Sequence, residues 1–387
     1  MTDAVLSPAP QEAASPVGLY VHVPFCESIC TYCNFTRGLL DDDLARRYVE
    51  AVVREIEQGE RPGEADTVYF GGGTPSVLEP DDIGQIVAAC RRAWSLSEQA
   101  EITMEANPES ATDARLAGYR EAGVTRLSLG VQSFRDEELS RLGRVHDAAG
   151  ARRAFERARR AGFDDVSLDL MMWLPGQTVA EWLESIDALI ALDPDHASLY
   201  LLEVYPNAPL REEMARRFWT QAPDEQAAEM YLAALEHLEA VGYRQYEISN
   251  VARPGHRCRH NLKYWTDGRW WGVGPGAHST MGRDRWRNPA DTAAYVRCLD
   301  RAADPRVGIE IRSADDQLAE ALFMGLRLVE GVDLSRVQGR YAVDVRARYG
   351  QALQPFIDSG HVVDGGTRLR LSREGMLLAN EVMAVFV

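Results

Sequence analysis

The chain has 387 residues, of which 45% are hydrophobic and 26% charged, a composition typical of a globular protein long enough to form two folded units. Its formal net charge of −17 excludes a general nucleic-acid-binding role, because such binding depends on neutralising phosphates. No apolar run reaches the ~20 residues of a membrane span and no signal peptide is recognisable, so we predict a cytoplasmic protein with at most peripheral membrane contact.

A strand–helix alternation occupies most of the chain after a Pro- and Ala-rich start, which is predicted to be a flexible tail (1–17). Short runs of β-branched and aromatic residues predict strands at 18–23, 66–70, 101–105, 125–131, 165–170 and 197–204. Helical periodicity follows each of them, at 44–56, 81–93, 111–122, 147–161, 178–191 and 224–240. Six such units predict a parallel sheet with helices outside it, doubly wound or barrel-like, with ligands at the carboxyl ends of the strands.

The pattern changes near residue 305. Helical segments at 314–328, 333–341 and 344–358 precede two strand-like pieces at 361–363 and 368–372. We therefore predict a small, mostly helical, winged-helix-like domain over 305–387. Its ten arginines against eleven acidic residues favour an interaction role over DNA binding. The segment 246–304, dense in Gly, Pro, His and Trp, is predicted to connect it to a first domain over 18–245.

Three cysteines follow the first predicted strand in C-x3-C-x2-C spacing: Cys26, Cys30 and Cys33. Three thiolates from one loop can ligate three irons of a [4Fe–4S] cluster, which leaves the fourth iron open for a ligand with an amine and a carboxylate. Structural zinc is the alternative, with His22 completing a Cys3His set. The glycine-rich YFGGGTPS segment (69–76) follows the second strand, where backbone N–H groups can approach a ligand closely.

These motifs resemble those of the radical S-adenosylmethionine (SAM) superfamily. A narrower resemblance is to the oxygen-independent coproporphyrinogen III oxidases and their haem-chaperone branch, HemW. It rests on GLYVHVPFC (18–26), GGGTP (71–75), EANP (105–108), GVQSF (130–134), LGRVH (142–146) and LPGQT (174–178). The resemblance implies a partial (β/α)6 barrel followed by a C-terminal helical domain.

The resemblance also implies the site. It assigns Cys26, Cys30 and Cys33 to the cluster, and it assigns to one or two SAM molecules the residues Tyr20, Gly72, Gly73, Thr74, Glu105, Gln132, Arg144 and Asp169. These roles are chemically reasonable, because Glu105 or Asp169 can accept hydrogen bonds from the amine or ribose and Arg144 can pair with a carboxylate. Trp173 departs from the family, in which glycine commonly stands at this position.

Two features favour the haem-chaperone branch. The oxidases continue their motif to a fourth cysteine, whereas Phe35 stands at that position here. The HNLKYW segment (260–265) resembles the chaperones' H-N-x-x-Y-W. Histidine can ligate haem iron, and tyrosine and tryptophan can pack on the porphyrin. We therefore predict a haem site in the 255–278 region with His260 as its ligand, and the other candidate ligands there are His256, Cys258 and His278.

The sequence thus predicts a haem chaperone that carries a SAM-ligated [4Fe–4S] cluster. Its predicted partners are haem and apo-haemoproteins, in particular respiratory enzymes at the membrane, with no nucleic acid. The alternative is the oxidative decarboxylation of coproporphyrinogen III, so the sequence leaves enzymatic activity open. It also leaves open the number of SAM molecules and whether the chain forms a homodimer.

Overall fold

The computed structural model describes residues 15–58, 63–206 and 208–387, so most of the predicted tail lies outside the described residues. The strands are β1 (Val17–Val23), β2 (Phe25–Cys26), β3 (Gly38–Leu39), β4 (Glu64–Gly72), β5 (Ser95–Ala106), β6 (Arg126–Gln132), β7 (Asp165–Met172), β8 (His196–Leu201), β9 (Arg244–Glu247), β10 (Asn250–Ala252), β11 (Trp270–Val273), β12 (His278–Met281), β13 (Asp284–Arg287), β14 (Val307–Ile311), β15 (Val332–Asp333), β16 (Val362–Asp364) and β17 (Arg368–Leu371). The helices are α1 (Asp42–Gln58), α2 (Pro80–Ala93), α3 (Asp113–Glu121), α4 (Asp136–Arg141), α5 (Ala148–Arg160), α6 (Val179–Leu192), α7 (Pro209–Arg217), α8 (Asp224–Ala240), α9 (Arg259–Trp265), α10 (Thr292–Asp300), α11 (Ala314–Gly325), α12 (Leu334–Tyr341), α13 (Val345–Asp358), α14 (Arg373–Leu377) and α15 (Ala379–Met383).

One open sheet of twelve strands forms the centre of the fold, in the order β14-β13-β12-β11-β1-β4-β5-β6-β7-β8-β10-β9. The six predicted strands correspond to β1, β4, β5, β6, β7 and β8, which are adjacent and parallel. β11 joins β1 in parallel on its other side, and the strands beyond β11 and β8 are antiparallel. The predicted α/β class with a parallel core is confirmed.

The six central strands have one apolar and one polar face, because neighbours along a strand point to opposite sides and paired residues point to the same side. The apolar face carries buried core residues, including Leu19, Val68, Ile102, Leu127, Val166 and Ala197. The polar face carries Tyr20, Tyr69, Glu105, Ser128, Asp169 and Ser198. The helices share one hydrophobic core with the apolar face.

Helix α1 illustrates how the sequence builds this core. Asp42 and Asp43 lie in its first turn, where carboxylates are stabilised by the helix dipole. Tyr48, Val52 and Ile56 are buried on one side of the helix, at the spacing that the sequence predicts. The helix can therefore pack this stripe on the apolar face while its charged side stays exposed.

The C-terminal region combines helices α11 to α13 with a three-stranded sheet in the order β15-β17-β16. β15 adds a strand to the predicted hairpin. β14 lies within the predicted range 305–387 and pairs with β13 of the large sheet. The proposed domain boundaries stay a prediction. Among the described residues, no helix is long and apolar enough to cross a membrane.

Candidate functional site

The three cysteines lie where β1 ends and the chain turns. Cys26 ends β2, which pairs in parallel with β3, and Cys30 and Cys33 follow in the loop between them. The loop is anchored at Thr31, whose N–H donates to Leu142 O at 3.3 Å and whose carbonyl accepts from Leu210 N at 3.0 Å. These contacts come from other β/α units, so the loop is held over the carboxyl end of the sheet.

A chain of hydrogen bonds, here called the thiol network, connects two of the cysteines. The Thr74 hydroxyl donates to Cys26 Sγ at 3.4 Å and accepts from Asn107 Nδ2 at 3.2 Å. Arg144 Nη2 donates to Asn107 Oδ1 at 2.8 Å, and its Nη1 lies 3.3 Å from Cys30 Sγ. The network thus brings together the ends of β4, β5 and the β6–α5 connection. Arg144 thus places a positively charged guanidinium next to the Cys30 sulfur.

The glycines of the GGGTP segment permit close backbone contacts beneath the loop. Gly72 has a φ of 113°, and a Cβ there would lie 2.6 Å from the His22 ring. Gly73 N donates to Val23 O at 2.7 Å, which holds this segment against the chain at residues 23–25. A Cβ on Gly73 would therefore lie only 2.6 Å from Phe25 O. Only glycine fits either position without displacing its neighbours.

The spacing of the thiols fits a cluster of several irons better than one zinc ion. The Sγ atoms of Cys26, Cys30 and Cys33 are not all within 4.8 Å of one another, whereas tetrahedral zinc would hold its sulfurs about 3.8 Å apart. His22 does not join them, since its Nε2 is 2.8 Å from Thr36 O and its Nδ1 is 3.1 Å from the Tyr20 hydroxyl. The residues present therefore fit the [4Fe–4S] group.

Burial raises the pKa of Cys26 and Cys33, and neighbouring thiols contribute to the rise. Both groups are therefore protonated near neutral pH when no metal is bound. Arg37 lowers the pKa of each to a smaller extent, and its guanidinium also donates to Cys33 O at 2.6 Å. Iron binding at this loop is expected to release protons.

Two carboxylates lie on the polar face near the strand ends. Glu105 accepts from the Tyr69 hydroxyl at 2.8 Å, and Asp169 accepts from the Ser128 hydroxyl at 3.0 and 3.1 Å. Burial, followed by the nearby Asp169, raises the pKa of Glu105 to about 7, and burial also raises the pKa of Asp169. Such carboxylates can ionise when a cationic amine binds and offsets the cost of burying their charge.

Two strand ends hold non-glycine residues in the left-handed region. Gln132 ends β6 with a φ of 68°, and Trp173 follows β7 with a φ of 63°. Gln132 Oε1 is buried and has no hydrogen-bond partner among the described residues, which leaves it available to a ligand. The Trp173 indole donates to Ala222 O at 2.7 Å, so its side chain is tied to the segment after α7. Backbone strain of this kind is frequent at functional sites.

Helix α9, which contains HNLKYW, packs on the polar face at the opposite end of the strands. Its first N–H groups are capped by Glu101, which accepts from His260 N at 3.0 Å. The His260 side chain has no exposed surface, and its ring nitrogens lie 2.9 Å from Thr67 Oγ1 and 2.9 Å from Tyr264 Oη. Burial and the nearby Lys263 lower the pKa of His260 to about 3, so the ring is neutral. Neither nitrogen is free for a metal in this conformation, and the assignment of His260 to haem stays a prediction.

A cavity of about 280 Å³ opens beside α9 and is here called the aromatic cavity. Its walls include Tyr264, Trp265, Trp270, His278, Arg285 and Met324. The two last residues of HNLKYW therefore line this cavity, whereas the first one is turned away into the sheet.

Sequence reasoning thus located the loop and the strand ends, but it did not single out Asn107, Arg37 or the aromatic cavity. Asn107 lies within the EANP motif, which was the signal available, whereas its hydrogen bonds to Thr74 and Arg144 are visible only in the structure. No sequence signal could pair Arg37 with the carbonyl of Cys33.

Residues 20–189 match the Radical SAM superfamily, and residues 313–378 match the HemN C-terminal domain. The chain is 35% identical over 372 residues to the protein named Heme chaperone HemW of Bacillus subtilis, which covers 95% of this chain and 98% of that protein. A Mycobacterium tuberculosis protein of the same name is 36% identical over 384 residues, which covers 98% of this chain and 96% of that protein.

Among solved structures, coproporphyrinogen III oxidase (HemN) from Escherichia coli, a radical SAM enzyme, aligns with a TM-score of 0.85. The alignment covers 97% of this chain and 92% of that chain, at 22% identity. At this identity the likeness establishes a common fold and nothing about the reaction.

Proposed function

This chain belongs to the HemW family of radical SAM proteins, and from that premise we propose that it is a haem chaperone. It would bind haem in the 255–278 region, carry a SAM-ligated [4Fe–4S] cluster, and deliver haem to apo-haemoproteins. Respiratory enzymes at the membrane are the proposed recipients. The observation that carries the haem part of the proposal is the HNLKYW helix α9, whose Tyr264 and Trp265 line the aromatic cavity.

The residues at the carboxyl end of the sheet have separate tasks in this proposal. Cys26, Cys30 and Cys33 would hold the cluster, which when bound supplies an open iron and an electron to SAM. Arg144 keeps Cys30 oriented through its contact with the sulfur. Thr74 does the same for Cys26.

The remaining predicted residues would bind and orient SAM. Gly72 and Gly73 would let the backbone of the GGGTP segment approach the ligand closely, because neither residue carries a side chain, and Tyr20 would line the pocket from β1. Glu105 and Asp169 would take the amine and ribose hydroxyls, which are the donors that SAM offers. Gln132 would contribute a buried amide oxygen that has no hydrogen-bond partner in the part of the chain that the structure describes. A second SAM molecule is not required by any of these roles.

The test is one anaerobic incubation of the reconstituted full chain with SAM, a reductant and coproporphyrinogen III. Protoporphyrinogen and 5′-deoxyadenosine are measured in the same sample. A chaperone is expected to give no porphyrinogen product, and 5′-deoxyadenosine in that sample would prove that the cluster is active. Decarboxylated product would overturn the proposal in favour of the oxidase.

The haem part needs a second measurement on the same preparation. Hemin is titrated into the full chain and followed by the Soret band, and the loaded protein is then mixed with an apo-haemoprotein. Binding followed by transfer supports the chaperone, whereas absence of a Soret change in folded protein rejects it.

A further inference from the structure

The aromatic cavity continues the polar face of the sheet beyond β1. Trp270 on β11 pairs with Thr280 on β12, and Thr280 pairs with Arg285 on β13, so these side chains point to the same side. Tyr264 and Trp265 of α9 and Met324 of α11 cover them from above. With a volume of about 280 Å³ the cavity is at the small end of ligand sites, so a larger ligand would stay partly exposed.

The cavity walls suit a flat aromatic ligand. The Tyr264 and Trp270 rings are 4.8 Å apart and inclined at 80°, and the Tyr264 and Trp265 rings are 6.1 Å apart. The Trp265 Nε1–H is buried without a hydrogen-bond partner among the described residues. Aromatic surfaces of this kind bind planar rings by stacking and edge contacts, while an unsatisfied N–H offers a polar contact to the ligand rim.

His278 stands at the mouth of the cavity with an available imidazole. It is exposed on β12, on the same side as Thr280, and the described residues include no side-chain hydrogen-bond partner for it. Burial, then Arg287 and Arg285, lowers the pKa of His278.

The other candidate ligands of this region are engaged elsewhere. Both nitrogens of His260 are hydrogen-bonded, one to Thr67 of β4 and the other to Tyr264 of α9. Cys258 is buried with its Sγ 3.5 Å from Glu101 Oε1, and burial raises its thiol pKa. His256 Nδ1 is 3.5 Å from Asp165, in a charged pocket with Arg159 and Asp195.

Cationic groups adjoin His278 on the next strand. Arg287 pairs directly with His278, and Arg285 pairs with Thr280. Arg285 Nε donates to Thr280 Oγ1 at 3.2 Å, and its Nη2 pairs with Glu320, which also binds Arg312. Arg287 is exposed, so one guanidinium next to the cavity is accessible to an acidic ligand group. Porphyrins of the haem type carry two propionates that such groups can bind.

We propose that the iron of haem is ligated by His278, with the porphyrin packed against Tyr264 and Trp270 and its propionates directed to Arg285 and Arg287. This inference rests on the proposed function, because it takes haem as the ligand. In this proposal α9 forms a wall of the haem site, and β12 supplies the iron ligand. His260 would then act as a positioning residue that holds Tyr264 through its 2.9 Å hydrogen bond.

The test uses hemin and the full chain, before and after cluster reconstitution. His278→Ala is expected to weaken hemin binding about tenfold or more and to shift the Soret maximum and spin state. Added imidazole should restore the wild-type spectrum, because the site loses only its axial ligand. His237→Ala, a substitution of an exposed histidine on α8, is the matched control and should bind hemin like wild type.

Two results separate this inference from the proposed function. Wild-type affinity and spectrum in a folded His278→Ala protein would overturn the ligand assignment and leave haem binding itself intact. Failure of the wild-type chain to bind hemin would reject the proposed function as a whole, and the ligand assignment with it. Circular dichroism of each variant verifies that it is folded.

Discussion

Arg144 Nη1 lies 3.3 Å from Cys30 Sγ, and the same guanidinium reaches Asn107 and the carbonyl of Gly130 through Nη2. One side chain therefore connects a proposed cluster ligand with the ends of two strands. The guanidinium is held next to the sulfur by its two other contacts, which fix the position of its positive charge.

Replacement of Arg144 by Gln should reduce cluster assembly. The variant loses the charge beside Cys30 and leaves Asn107 Oδ1 without its donor, so we expect slower reconstitution and a more negative reduction potential for any cluster that forms. Iron and sulfide content and a redox titration measure both effects. Arg153→Gln removes an exposed arginine on α5 and should behave like wild type. Equal iron content and potential in the two variants would contradict the role of Arg144.

The SAM affinity should rise with pH in a way that depends on Glu105. Its pKa is raised to about 7 by burial, so the carboxyl is largely neutral at pH 6 and ionised at pH 8. The ionised carboxylate attracts SAM, whose sulfonium is cationic at every pH, and affinity should therefore increase by up to about tenfold per pH unit below the pKa and level off above it. Equilibrium binding to the reconstituted protein at pH 6, 7 and 8 measures this.

Glu105→Gln should flatten that pH dependence and weaken binding at pH 8. Glu55 is the matched control, because burial also raises its pKa to about 7 while its partners are Gly274, Asn288 and Tyr295. Glu55→Gln should retain the wild-type pH profile of SAM binding. An unchanged profile in Glu105→Gln would remove this carboxylate from the SAM site.

Much of the fold could be predicted because the six β/α units are local patterns. Each unit has a β-rich run followed by helical periodicity, and parallel pairing of successive units follows from the helices between them. β11 was not predicted as a seventh parallel strand, since Trp270–Val273 is short and pairs with residues about 250 positions earlier. Its pairing is set by tertiary contacts that a local pattern does not contain.

The residues of the site could be predicted where their role depends on residue type and spacing in the sequence, as with Cys26 and Gly73. The environment of His260 was not, because burial and partners on distant strands decide whether a ring nitrogen is available. The sequence could not distinguish a histidine that stabilises the fold from one that binds iron. His278, with no neighbouring motif, gave no signal beyond its position in the 255–278 region.

Gly73→Ala should disrupt the cysteine loop. The new Cβ would lie 2.6 Å from Phe25 O, so either β2 or the GGGTP segment must move, and Cys26 moves with them. We expect a protein that folds but loses most of its iron after reconstitution. Gly84→Ala, in helix α2, is the control, since the new Cβ would lie at an ordinary contact distance of 3.7 Å from Ala122 Cβ. This substitution should stabilise α2 by up to about 1 kcal/mol. Full iron content in Gly73→Ala would refute the steric argument.

His260→Ala should lower stability. The change removes two hydrogen bonds, leaves buried hydroxyls at Thr67 and Tyr264 without their partner, and creates a cavity beneath α9. Together these effects predict a loss of about 3 kcal/mol in the free energy of unfolding. Urea denaturation of cluster-free protein measures it, with His237→Ala as the reference. A loss below about 1 kcal/mol would mean that the ring does not stabilise this helix.

Along each central strand, side chains point alternately to the apolar and the polar face, so neighbouring residues have different roles. On β5, Met104 contributes to the hydrophobic core while the next residue, Glu105, faces the proposed ligand site. On β7, Leu168 and Asp169 are related in the same way. Residues one position apart thus contribute to different properties, one to the packed core and the other to the proposed ligand site. New ligand specificities can evolve on this sheet at every second position while the packing that keeps the chain folded is preserved.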